Sequence, residues 1–183
     1  MKKSKKNRRL TAIMFTDIVG YTALMQQDEA KANAARTRHR QVFDEQHQLF
    51  NGQILQYFGD GTLSVFQSGV EAVQCAIVIQ KELNTGKVVP LRIGLHIGDI
   101  VFDGTDIYGD GVNFASRIES MGVPGAILLS GKLNDELKNH PQIFTQSLGF
   151  FFFFYITNPV EVFAIKNKGI VFPKISELKG KQK

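Results

Sequence analysis

The sequence predicts an α+β domain, a ferredoxin-like βαββαβ sandwich with extra strands at its C-terminal end. Three observations carry that prediction. Apolar strand-like runs interleave with amphipathic helical stretches along most of the chain. Two strand runs are joined by Gly59-Asp60-Gly61, a tight hairpin that excludes a purely parallel sheet. The order of elements then reads β-α-β-β-α-β. With 183 residues, 43% of them hydrophobic, the chain suits one domain with a proper core.

Each element has its own warrant. Leu10 to Thr16 is the first strand, built on the run Ala12-Ile13-Met14-Phe15 and ending beside Asp17. Gly20 turns the chain into a short helix, Tyr21 to Gln26. Asp28 caps a long amphipathic helix, about Glu29 to Phe50, which Asn51-Gly52 ends. Strands at Ile54–Phe58 and Thr62–Phe66 flank the hairpin. Val70 to Leu83 carries a helical apolar stripe, and Asn84-Thr85-Gly86 breaks it. Pro90 to Phe102 alternates as a long strand. Residues 103–111 read as a polar, Gly-rich loop, followed by a helix from about Val112 to Met121. Ala126 to Leu129 is a strand, and Ser130 caps a helix to about Lys138. Strands near Ile143–Ser147, Gly149–Ile156 and Val160–Ile165 close the fold. Five consecutive Phe, Phe150 to Phe154, cannot all face inward from one strand, so some must meet a partner, a loop or water.

Charge is uneven. The net +5 sits in the ends: Met1 to Arg9 holds six Lys/Arg, and Lys174 to Lys183 holds four Lys against one Glu. Between them 12 basic residues face 16 acidic ones. The high pI therefore describes tails rather than a nucleic-acid face, and the strands lack interleaved aromatic and basic residues. A single cysteine, Cys75, excludes an internal disulfide and reads as a small buried hydrophobe. No stretch resembles a signal peptide, and the longest apolar run, Phe150 to Ile156, has seven residues, far short of an integral membrane segment. The expectation is a cytoplasmic domain, with a fused regulatory domain possible in a longer parent. His39, His47, His96 and His140 show no ligand spacing, and Arg36, Arg38 and Arg40 read as a solvated helix face.

Three constellations carry chemistry. Asp17 ends a core strand beside a Gly turn and a helix start, an arrangement that suits a metal-bound phosphate or serves as a plain turn. Asp60 tips the hairpin about 40 residues later. In a ferredoxin-like sheet the first strand lies beside that hairpin, so the two carboxylates can meet at one edge, where a divalent cation is the usual solution; the alternative is that Gly-Asp-Gly is simply a good turn. The third is Asp106 to Arg117. Asn113 and Arg117 are four apart and share a helix face, a pairing of amide and guanidinium that suits ribose and phosphate or is an ordinary polar stripe of a surface helix.

Four stretches together resemble the class III nucleotidyl (adenylate/guanylate) cyclase catalytic domain. They are Phe15 to Thr22, Gly59 to Gly61, Leu91 to Gly98 (Leu-Arg-Ile-Gly-Leu-His-Ile-Gly) and Asp106 to Arg117, in that family's order and spacing. The resemblance implies a catalytic domain over 9–166, a basic N-terminal tail over 1–8 and a basic tail or linker over 167–183. It implies a head-to-tail homodimer acting on a nucleoside triphosphate. Two Mg²⁺ or Mn²⁺ ions per site would be held by Asp17, Asp60 and the backbone of Ile18. Gly20, Tyr21 and Thr22 would touch phosphates through their backbone, and Arg92 the triphosphate. Asp106 and Gln56 occupy the base-reading positions, Asn113 the ribose-orienting one, and Arg117 the one that stabilises the transition state. The metal residues would come from one chain and Asp106, Asn113 and Arg117 from the other.

Two positions depart from the pattern. Gln56 stands where ATP users carry a Lys, while Asp106 still offers an acceptor to an exocyclic amine. Phe154 stands where a triphosphate-binding Lys is expected. The reading is therefore a cyclase favouring ATP. The alternatives are a pyrimidine cyclase of antiphage signalling, or a degenerate cyclase-homology module that binds nucleotide or a partner without turnover.

Overall fold

The structure is a computed structural model that describes residues 6–179 and 181–182. The chain opens with strand β1 (Asn7–Ile18), then helices α1 (Tyr21–Gln27) and α2 (Glu29–Leu49). The hairpin β2 (Gly52–Phe58) and β3 (Gly61–Phe66) follows, then α3 (Gly69–Leu83) and the long strand β4 (Leu91–Asp103). Next come β5 (Asp106–Tyr108), α4 (Asp110–Met121), β6 (Ile127–Ser130) and α5 (Gly131–Asp135). Strands β7 (Thr145–Phe152), β8 (Val160–Ile165) and β9 (Lys181–Gln182) complete the sheet.

Among the described residues nine strands form one sheet in the order β2-β3-β1-β4-β6-β8-β7-β9, with β5 paired to β4. The first four make the expected ferredoxin-like unit: β1 lies between β3 and β4, antiparallel to both. Capping follows the sequence. The Asp28 side chain accepts from Lys31 N at 3.0 Å at the start of α2, and Ser130 caps α5 through Leu133 N at 3.3 Å. Alternation along β1 sorts the core. Ala12, Met14 and Ile18 face the main cluster under α2 and α3, with Phe43, Phe66, Leu91 and Leu95. Ile13 faces the opposite side with Leu63, Val65, Ile100 and Ala115, beneath α4.

Several expected boundaries move. β1 starts at Asn7, so residues 7 and 8 belong to the sheet rather than a tail; residues 1–5 lie outside the described residues. The expected 103–111 loop holds β5, paired to β4 through Asp103↔Asp106, and the start of α4. The helix after Ser130 is five residues long and gives way to turns. The strands expected at 143–147 and 149–156 are one strand, β7, with a bulge between Ser147 and Gly149 that keeps its pairing to β8. Beyond Phe152 the chain leaves the sheet, and Tyr155 takes a left-handed φ of 64°. The stretch expected as a tail or linker packs back instead. Val171 N donates to Gly125 O at 3.1 Å, Lys179 N to Met121 O at 3.0 Å, and Phe172 and Leu178 lie on the second core cluster. Cys75 is fully buried, as expected. Arg38 is not simply solvated: it donates to the carbonyls of Glu82, Thr85 and Lys87, tying α2 to the turn after α3.

Candidate active site

The site begins where β1 ends. Asp17 is opposite Gly61 on β3 and opposite Arg92 on β4. Ile18 N donates to Asp60 O at 3.1 Å, which draws the hairpin tip against the end of β1. Val19 N donates to Pro90 O at 2.8 Å. Gly20 then adopts φ 74°, a left-handed turn that favours glycine, and caps α1 with no side-chain hydrogen bond. The first-turn N–H groups of a helix have no intrahelical acceptor, so those around Tyr21 and Thr22 are the donors this turn offers an anion. The Tyr21 ring is buried, its hydroxyl has no hydrogen-bond partner, and Thr22 is exposed.

Asp17 and Asp60 thus meet as expected. Burial, and then the neighbouring Asp17 carboxylate, push the Asp60 carboxyl above its usual range. Arg92 approaches the pair. Its Nη2 lies 2.7 Å from Asp17 Oδ2, and its Nε lies 3.0 Å from Glu119 Oε1, off the N–H direction. Arg92 therefore touches the Asp17 carboxylate here, where the resemblance implies a contact to triphosphate. Glu119 was not among the expected residues. It sits near the end of α4, and burial pushes its carboxyl up to about 7 against the pull of Arg92. Gly94 lets α4 come this close: a Cβ there would stand 2.3 Å from Glu119 N and 2.7 Å from Ala115 O.

The donor set fits a hard divalent cation. Asp17 at the end of β1 and Asp60 in the hairpin turn bring two carboxyl groups together, and among the described residues Arg92 is the guanidinium paired with them. Among the described residues no three His, Cys, Asp or Glu side chains converge into a complete cage. A cation held by Asp17 and Asp60 would keep coordination positions for substrate oxygens, as Mg²⁺ commonly does.

The other expected residues lie apart from this edge. Asn113 and Arg117 share one face of α4 and line a cleft of about 550 Å³ with Asp110, Phe114, Tyr155 and Asn158. The Arg117 guanidinium donates to the Phe154 carbonyl and lies 6.0 Å from the Tyr155 ring. Phe154 itself is 80% exposed. Gln56 is exposed on β2 and Asp106 is exposed on β5, with β3, β1 and β4 between their strands. Asp106 sits at the end of β4 paired with Asn7, whereas Asp17 faces the start of β4. His96 is a core residue: its Nδ1 is 2.8 Å from Ser130 Oγ, and its ring stacks on Phe114.

A ferredoxin-like sheet with Asp17 beside the hairpin tip, the Gly20 turn behind them and an Asn/Arg helix face matches the class of protein that the resemblance implies, a nucleotidyl cyclase catalytic domain. The comparisons agree. Residues 3–153 match the model of the family described as Adenylate and Guanylate cyclase catalytic domain, and the chain belongs to that family. It is 32% identical over 170 residues to putative adenylate cyclase 3 of Rhizobium meliloti (strain 1021), covering 88% of this chain and 29% of that protein. It is 28% identical over 130 residues to an adenylate cyclase of Glutamicibacter nicotianae, covering 70% of this chain and 32% of that one. The chain thus spans about a third of the length of these relatives. The crystal structure of an adenylate/guanylate cyclase/hydrolase from Silicibacter pomeroyi superposes with a TM-score of 0.80 at 33% identity, covering 88% of this chain and 98% of that one. Among the described residues no helix is long and apolar enough to cross a membrane.

Proposed function

We propose that the chain is a nucleotidyl cyclase that converts a nucleoside triphosphate, ATP by preference, into the 3′,5′-cyclic monophosphate and pyrophosphate. The observation that carries this reading is the meeting of Asp17 and Asp60 at the end of β1, beside the Gly20 turn. Asp17, Asp60 and the backbone of Ile18 would hold Mg²⁺ or Mn²⁺, two per site. When bound, the cations supply a lowered pKa at the ribose 3′-hydroxyl and charge neutralisation on the triphosphate. The turn at Gly20, Tyr21 and Thr22 orients phosphate oxygens through backbone N–H groups. Asn113 orients the ribose, and Arg117 donates where negative charge grows on the α-phosphoryl group. The 3′-oxygen bonds to the α-phosphorus, the bond to pyrophosphate breaks, and the hydroxyl proton is released. Asp106 accepts from the exocyclic amine of the base, and Gln56 offers both a donor and an acceptor beside it.

The site is shared between two chains in a head-to-tail homodimer. Its support is the placement of Asp106 and Asp17 at opposite ends of the β1–β4 register. A single buried cysteine fits a cytoplasmic setting. One observation favours a degenerate binding module instead: exposed Phe154 holds the position of the expected lysine. Gln56 likewise keeps a pyrimidine cyclase in view. Incubation with ATP, GTP, CTP and UTP in turn, each with Mn²⁺, decides among these. Cyclic AMP as the main product is expected. A cyclic pyrimidine nucleotide overturns the base assignment, and no cyclic product from any of the four overturns the enzyme reading.

A further inference from the structure

Arg92 is shared by two carboxylates that come from different elements. Its Nη2 is 2.7 Å from Asp17 Oδ2 and its Nε is 3.0 Å from Glu119 Oε1. The three side chains are 15% (Arg92), 26% (Asp17) and 4% (Glu119) exposed, so Glu119 is the deepest of them. A carboxyl this deep ionises only beside a cation, and among the described residues Arg92 supplies the ion pair that Glu119 makes. Asp17 has a second claim on the same guanidinium, and Asp60 stands beside Asp17. Among the described residues, Arg92 therefore answers both Asp17 and Glu119.

We propose that Arg92 is the resident counter-ion of Asp17 when no metal is present, and that Glu119 is a positioning residue that keeps Arg92 when a divalent cation takes Asp17. The inference rests on the reading of Asp17 and Asp60 as cation ligands. A divalent cation and a guanidinium on the same carboxylate oxygen repel each other, so the arrival of one displaces the other. Released from Asp17, Arg92 stays anchored through Nε to Glu119. Its outer nitrogens then turn toward the edge where the Gly20 turn meets the phosphates. Without Glu119 the guanidinium has a single strong partner left, Asp17, and competes with the metal. Gly94 is part of the device, because only a residue without a Cβ admits the Glu119 backbone to this distance.

The test is binding of Mn²⁺ alone, followed by the fall of the free-ion electron paramagnetic resonance signal. Four proteins are compared with wild type: Glu119→Gln, Arg92→Gln, the double variant and Asp17→Ala. Glu119→Gln is near-isosteric, and thermal melts establish that each variant folds. Glu119→Gln is expected to weaken Mn²⁺ binding by about 5-fold or more, and Arg92→Gln to tighten it by a similar factor. The double variant is expected to bind as Arg92→Gln does, because Glu119 acts only through Arg92. If the charges act independently through the field of the site, the two effects simply add, and that result overturns the proposal. So does a Glu119→Gln affinity equal to wild type. Should Asp17→Ala bind Mn²⁺ as tightly as wild type, the underlying metal-ligand reading fails instead, and the two failures are distinct. A second measurement needs no variant. In protein with ¹⁵N-labelled arginine, Mg²⁺ should slow exchange of the Arg92 Nε–H, because a guanidinium released from Asp17 can turn its Nε–H, now off line, into a hydrogen bond with Glu119. An Nε–H resonance indifferent to Mg²⁺ also overturns the proposal.

Discussion

At the scale of single residues, the site divides into groups whose partners lie close in sequence pattern and groups whose partners do not. Asp17 and Asp60 were legible because each marks a local event, a strand end and a hairpin tip, and strand order alone brings them together. Their removal leaves no paired carboxylates, so Asp17→Ala or Asp60→Ala is expected to abolish Mn²⁺-dependent cyclisation, read as cyclic nucleotide formed per minute. Arg117→Ala is expected to lower kcat by about 10²–10³, the usual loss for a donor aimed at developing charge, with a smaller change in KM. Phe154 is exposed and lies beside Arg117, so Phe154→Lys places a cation near the cleft. A several-fold fall in nucleotide KM is expected, and an unchanged KM removes this position from the phosphate-binding set. Glu119 was not legible. Helical spacing marks Asn113 and Arg117 as one face, and Glu119, two residues on, turns away from it toward the sheet. Its partner Arg92 is on another element, and nothing local to α4 announces that contact.

At the scale of elements, helix α4 is the pivot. It carries Asn113 and Arg117 on its outer face and Glu119 on the face against β4. That face reaches the sheet over Gly94, where a methyl group would meet the backbone of Glu119 and Ala115. Backbone cannot yield as a flexible side chain does. Gly94→Ala is therefore expected to destabilise the fold by about 1–3 kcal/mol or more, the cost of overpacking. In a domain of this size each kcal/mol lowers Tm by about 2–4 °C, which a thermal melt detects. A wild-type Tm contradicts the packing described here. The elements that escaped the sequence share a physical reason. β5 is three residues long, too short to show alternation, and it pairs only because β4 runs on past Gly98. At Gly149 the sequence suggests a break, whereas the structure absorbs the glycine as a bulge and keeps β7 whole. The Phe run follows the alternation argument: Phe151 is buried, while Phe150 and Phe152 are half-exposed on the other face.

At the scale of the whole molecule, two properties follow from where charge and apolar surface lie. The first is acid lability. His39, His47 and His96 are buried, and burial pushes each pKa down to about 4. In the unfolded chain a histidine takes its proton near pH 6.5, so between about 6.5 and 4 the unfolded state binds more protons than the folded one. Stability from these groups is complete above pH 6.5 and is lost as pH falls. Glu119, raised to about 7, and Asp60, also raised, act in the opposite sense, because the folded chain keeps their protons. Three histidine shifts of similar size outweigh them, leaving a net loss on the order of several kcal/mol on acidification. Urea midpoints are expected to fall steadily below pH 6, and a flat or rising midpoint contradicts the assignment of neutral buried histidines.

The second property is the separation of the two residue sets. One chain gathers Asp17, Asp60 and Arg92 at one edge of the sheet, and presents Asn113 and Arg117 in a separate cleft on α4. If two copies complete each site head to tail, inactive variants must rescue each other. Asp17→Ala and Arg117→Ala chains, each purified and inactive alone, are mixed and allowed to exchange subunits, and cyclic nucleotide is measured. Random pairing makes half the dimers mixed, each with one intact site, so activity should return to about a quarter of wild type. Mixed dimers shown by mass spectrometry to form, yet making no cyclic nucleotide, would contradict the shared site.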